Sequence, residues 1–121
     1  MIDHVTLNVR DLEASKAFYL EALRPLGYEL VLTYLDGCGF GAEGKPDFFL
    51  AQRGDPSAPV HVALLAPDRK HVDAFHESAL AAGGRDNGPP GIRLVYHEHY
   101  YGAYVLDPDG NNVEAVTHEP S

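Results

Sequence analysis

The chain has 121 residues, 45% of them apolar and 22% charged, the size and make-up of one ordinary globular domain able to bury a core. A formal charge of −9 excludes a nucleic-acid surface, where clustered Lys and Arg supply most of the affinity. A single cysteine, Cys38, excludes an intramolecular disulfide and suits a reducing, cytoplasmic setting, and its residue type alone reads as a small hydrophobe. Residues 2–9 alternate, with Val5, Leu7 and Val9 on one side of a strand and His4, Thr6 and Asn8 on the other. Asp11 can cap a helix carrying Leu12, Phe18, Tyr19, Ala22 and Leu23, which Pro25 and Gly27 end. Strands are expected at Tyr28–Tyr34, Cys38–Ala42 and Asp47–Gln52, so the first half reads βαβββ.

The Gly/Pro-rich stretch Arg53–Pro59 is the natural seam. Beyond it, Val60–Ala66 reads as a strand, and Asp68 caps a helix with the stripe Val72, Phe75, Ala79 and Ala82, ended by Gly83-Gly84. Strands are then expected at Ile92–His97, after a turn-rich Asp86–Gly91, and at Tyr101–Leu106 and Asn112–Thr117, with turn chemistry at Asp107–Gly110. No apolar run approaches the ~20 residues of a membrane helix, and no charged-then-apolar leader opens the sequence.

One stretch occurs twice. Residues 4–27 and 61–84 superimpose without a gap at a shift of 57, pairing His4 with His61, Asp11 with Asp68, Phe18 with Phe75 and Gly27 with Gly84. A repeat this long marks a supersecondary unit used twice. The expectation is an α+β domain, residues 1–121, made of two βαβββ modules at 1–54 and 59–119 whose sheet faces opposite the helices form a shared concavity.

His4 and His61 occupy the same position of the two repeats, so pseudo-symmetry would bring them together. Glu114 sits in mid-strand, on the opposite side from Val113 and Ala115. Two imidazoles and a carboxylate meeting in a cleft are ligands for a divalent cation, and three protein ligands leave positions open for water or substrate. Read singly, a strand histidine is usually a hydrogen-bonded or half-exposed residue, and Glu114 a solvated sheet-face charge. His97 and His99, with Glu98, Tyr100 and Tyr101, either line the cavity mouth or form a polar rim. His71 and His76, five apart, read as surface.

The paired βαβββ modules, the early DHV strand, the central HVAL strand and the closing DPDGNNVEAV together resemble the vicinal oxygen chelate superfamily of glyoxalases, bleomycin-resistance proteins and extradiol dioxygenases. The resemblance covers essentially the whole chain. It implies a half-barrel domain cupping a divalent metal (Fe, Zn, Ni or Mn), which a small oxygen-rich substrate chelates through neighbouring oxygens. The implied ligands are His4, His61 and Glu114; His99, Tyr100 and Tyr101, placed at the cavity mouth by the reading of the residues, are the candidate substrate contacts. A fourth ligand position used by glyoxalase-like members falls at Phe49 or Leu50, neither of which can ligate. The remaining set is similar to the two-His-one-carboxylate arrangement of iron dioxygenases. Lyase, isomerase and dioxygenase reactions are all open. The alternative implied function is sequestration of a small molecule without turnover, as in bleomycin-resistance-like members. Similar short chains are usually homodimers, which leaves open whether the site lies within one chain or between two.

Overall fold

The computed structural model describes residues 1–56 and 58–121; Ser57, in the expected seam, lies outside the described residues. Strand β1 (Val5–Asn8) leads into helix α1 (Leu12–Ala22), and a single 3-10 turn follows at Arg24–Leu26. Strands β2 (Glu29–Tyr34), β3 (Gly37–Ala42) and β4 (Lys45–Ala51) complete the first module. The second comprises β5 (His61–Leu65), α2 (Arg69–Ala81), β6 (Arg85–Ile92), β7 (Tyr101–Leu106) and β8 (Asn112–Thr117). Each module forms one four-stranded sheet, in the orders β1-β4-β3-β2 and β5-β8-β7-β6. The first strand of each runs parallel to the last, and the other pairings are antiparallel. The fold is α+β with two similar modules.

Both helices begin on the aspartates expected to cap them. Asp11, with extended backbone, accepts from the Ala14 N–H, and Asp68 accepts from the His71 N–H at 2.9 Å. Gly27, at φ 84°, ends the turn at Pro25, where a side chain would be strained.

The core is continuous across the modules. Phe18, Tyr19, Ala22 and Leu23 from the first helical segment join Val72, Phe75 and Ala79 of α2, with Phe40, Phe48 and Leu50 of one sheet and Ala103, Val105, Val113 and Ala115 of the other. Gly84 sits in close contact with this core, since a Cβ there would lie 2.7 Å from the Phe18 ring and 2.5 Å from Val105. A polar tie reinforces it: the buried Tyr19 hydroxyl donates to Asp107 Oδ2 at 2.5 Å, and Asn111 Nδ2 donates to the same oxygen at 2.9 Å.

The expected strand at Ile92–His97 does not form. The strand lies one step earlier, at Arg85–Ile92, and contains Pro89 and Pro90. It tolerates them because β6 is an edge strand with a neighbour on one side only, and its register against β7 breaks twice. Residues 93–100 instead fold back as a connection closed by the Arg93 N–H donating to the Tyr100 carbonyl at 2.7 Å. His76 also departs from expectation. Its side chain is 12% exposed and its Nε2 lies 2.9 Å from Asp86 Oδ1, which joins α2 to β6.

Candidate metal centre

Alternation in β5 and β8 decides which side chains leave the core. Val62 and Leu64 pack against the core, which turns His61, Ala63 and Leu65 to the other face. In β8, Val113 and Ala115 enter the core, while Glu114 takes the face of His61. Glu114 is nonetheless 1% exposed, not a solvated sheet-face charge. A carboxylate so covered needs partners for its oxygens. His61 Nε2 lies 2.7 Å from Oε1, and the Tyr100 hydroxyl donates to Oε2. With Glu114 ionised, the His61 bond requires the imidazole proton on Nε2, because a carboxylate only accepts. Burial, and then the Glu114 carboxylate, push the Tyr100 phenol well above its ordinary pKa. The same causes raise Tyr104, which pairs with Glu114 across β7 and β8 and lies 6.1 Å ring to ring from His61.

His4 stands apart from this pair. Its Nδ1 lies 2.7 Å from Asp3 Oδ2, a contact that holds the Asp3 carboxyl below its ordinary value, and its ring meets Phe49 edge-on at 5.2 Å. His4 and His61 line one cavity of about 340 Å³ with Asp3, Tyr28 and Asp47. Among the described residues, however, no three His, Cys, Asp or Glu side chains converge in a single chain.

Of the expected substrate contacts, Tyr100 is engaged by Glu114. Tyr101 turns to the helix side, donating to Asp73 at 2.6 Å beneath Arg69, and its phenol is raised to about 12, chiefly by burial. His99 Nε2 lies 3.5 Å from its neighbour Glu98. The His99 backbone N–H donates to His97 Nδ1, so the neutral His97 carries its proton on Nε2, 2.8 Å from His118 Nδ1. Two partners at the site escaped the sequence reading. Alternation along Tyr101–Leu106 could have put Tyr104 beside Glu114. Asp3 carried no signal beyond adjacency to His4.

The donor chemistry of His61 and Glu114 fits a divalent cation. Imidazole nitrogen and carboxylate oxygen are borderline-hard ligands that bind such ions at about 2.0–2.2 Å. Their contact in this chain is bridged by one proton, which a cation would displace.

The comparisons agree with this architecture. Residues 1–115 match the model of the Glyoxalase/Bleomycin resistance protein/Dioxygenase superfamily, and the chain belongs to that family. It is similar to a glyoxalase/bleomycin resistance protein from Albidiferax ferrireducens T118, at 30% identity over 95% of this chain and 96% of that one, with a TM-score of 0.82. Two further structures share the fold. A glyoxalase/bleomycin resistance protein/dioxygenase family enzyme from Burkholderia phytofirmans PsJN matches at 20% identity, 98% of each chain and a TM-score of 0.77. Lactoylglutathione lyase from Agrobacterium tumefaciens matches at 23% identity, 97% and 92% coverage and a TM-score of 0.73. No curated protein matches the sequence. No helix among the described residues is long and apolar enough to cross a membrane.

Proposed function

We propose that the protein is a metal-dependent enzyme acting on a small, oxygen-rich organic molecule that chelates a divalent cation, in a lyase, isomerase or dioxygenase-type reaction. The observation that carries this reading is the His61–Glu114 contact, a ligand-type pair at 2.7 Å whose carboxylate is 1% exposed. Held there by His61 and Glu114, a cation would supply Lewis-acid chemistry to the substrate oxygens. The chain's own residues prepare the place: Tyr100 fixes the second carboxylate oxygen, and Tyr104 walls the imidazole. Asp3 on Nδ1 leaves His4 Nε2 as the nitrogen able to ligate.

The third ligand, His4, comes from a second copy of the chain. Two observations support a shared site. His4 does not join His61 and Glu114 within one chain, and large apolar groups stand open on and beside the His61 sheet, with Leu65 at 73%, Leu94 at 75% and Val95 at 83% exposure. The buried free thiol of Cys38 suits a cytoplasmic setting. Metal content after incubation with Fe, Zn, Ni and Mn salts tests the proposal. Wild type takes up metal and His61→Ala does not; uptake by neither ends the reading.

A second reading is a binding protein without turnover, in which the cleft holds an organic ligand and no metal. It is favoured by the closed hydrogen-bonding of Glu114, whose two oxygens are already satisfied by His61 and Tyr100. Stoichiometric ligand binding by metal-free protein, with no product formed, distinguishes it.

A further inference from the structure

Arg93 opens the connection between β6 and β7, half-buried, against the Tyr104 ring. Its guanidinium lies over the Tyr104 ring, 5.2 Å from the centroid, and its Nη2 donates to the Pro89 carbonyl at 2.6 Å. The same tyrosine ring lies 6.1 Å from the His61 ring and pairs across the strands with Glu114. Arg10, Arg24 and Arg53 each have a carboxylate partner, in Asp109, Glu21 and Asp36. Arg93, like Arg69 and Arg85, forms no such pair among the described residues, in a chain whose acidic side chains outnumber its basic ones two to one, and of these three it is the one that lies over Tyr104.

The backbone around it is kept clear. Gly88, at φ 152°, would place a Cβ 2.8 Å from the Tyr104 ring and 3.3 Å from the guanidinium, and a Cβ at Gly91 would lie 2.9 Å from Nη1. Side chains at these two positions would displace either the arginine or the ring on which it rests. The irregular, proline-containing edge strand thus holds a cation against the Tyr104 ring, which itself lies 6.1 Å from the ring of His61. Tyr96 adds a further ring, 4.6 Å from that of Tyr100.

We propose that Arg93 is the specificity-determining residue of the site, and that the substrate carries a carboxylate which this guanidinium receives while the rest of the molecule lies against Tyr96, Tyr100 and Tyr104. The inference rests on the site assigned above and narrows its substrate class to small organic acids. A planar guanidinium offers paired N–H donors matching the two oxygens of a carboxylate, and one with no acidic partner in the protein gives up no ion pair on binding. Lysine at this position would keep the charge and lose the paired donors.

Benzoate and its uncharged isostere benzamide are suitable probes, since they differ in the carboxylate and share the ring. Their binding is measured by calorimetry or ligand-observed NMR in wild type, in wild type stripped of metal with EDTA, and in Arg93→Lys and Arg93→Gln, alongside metal content. Wild type should bind benzoate at least about tenfold more tightly than benzamide, the scale of one charge-assisted hydrogen-bonded pair. Arg93→Gln should abolish that preference, Arg93→Lys should retain part of it, and wild type stripped of metal with EDTA should keep it. Equal binding of the two probes by wild type, no binding of benzoate, or a preference that survives in Arg93→Gln overturns the inference. A preference lost on stripping the metal and kept in Arg93→Gln places benzoate on the metal and overturns it too. If wild type takes up no metal yet prefers benzoate through Arg93, the metal reading falls and the anion site stands.

Discussion

Phe49 stands in the first module where Glu114 stands in the second. Thr6 pairs with Phe49 across β1 and β4, Ala63 pairs with Glu114 across β5 and β8, and Thr6 and Ala63 are themselves equivalent at the repeat shift of 57. His61 therefore faces a carboxylate and His4 faces a phenyl ring. The register settles which residue occupies the expected fourth ligand position: Phe49, with Leu50 in the core. The pseudo-symmetry of the backbone is retained, while the carboxylate of one module is replaced by a phenyl ring in the other.

Restoring the missing donor should strengthen the site. Phe49→Glu places a carboxylate beside His4, and metal affinity measured by chelator competition should rise at least about tenfold, a change that even outer-shell partners can command. Unchanged affinity would mean that Phe49 does not face the ion.

Tyr100→Phe removes the donor from a buried carboxylate oxygen. Leaving such an acceptor unmatched costs about 1–3 kcal/mol, which urea denaturation of metal-free protein would detect. Tyr101→Phe, whose hydroxyl bond to Asp73 is exposed, should cost less than about 1 kcal/mol.

The tie between modules has its own signature. Tyr19→Phe leaves Asp107 Oδ2 with the Asn111 bond alone. The expected loss is again about 1–3 kcal/mol, with one cooperative transition because the core is shared. Two separate transitions would contradict a shared core.

Acid stability should depend on surface aspartates. Hydrogen bonds from the His71 and His76 side chains hold Asp68 and Asp86 below the ordinary aspartate value of 3.8. Because the folded value is lowered, the stabilisation is present above the unfolded pKa and is lost as pH falls through the lowered one. Asp86→Asn should therefore flatten the acid limb of a stability–pH curve relative to wild type. Since both aspartates are exposed, the difference should shrink as salt is added. An unchanged acid limb would show that the His76–Asp86 contact does not persist in solution.

Much of the architecture was legible because it rests on local rules stated twice. Both capping aspartates, the two helix stripes and the alternation that turns His61 and Glu114 from the core follow from residue spacing. The edge strand at Arg85–Ile92 was not legible, because Pro89 and Pro90 signal a turn unless the missing neighbour of an edge strand is already known. Its displacement made the 93–100 connection, and with it the places of His97, His99 and Arg93, invisible to periodicity. The burial of Glu114 was likewise hidden, since it depends on Tyr100 folding back from outside the strand. His76 drops out of view for the same reason: its partner Asp86 lies on another element.

The central claim, a metal site made of His4 from one copy with His61 and Glu114 from another, is tested most directly by mixing two defective chains. His4→Ala and Glu114→Gln are each purified, checked for loss of metal, then unfolded, mixed in equal amounts and refolded. In a mixed dimer one site receives intact His4, His61 and Glu114, and the other receives both defects. The account predicts that mixed dimers regain metal at one site in two. Absence of metal from isolated mixed dimers, with wild type loading normally after the same treatment, would contradict it.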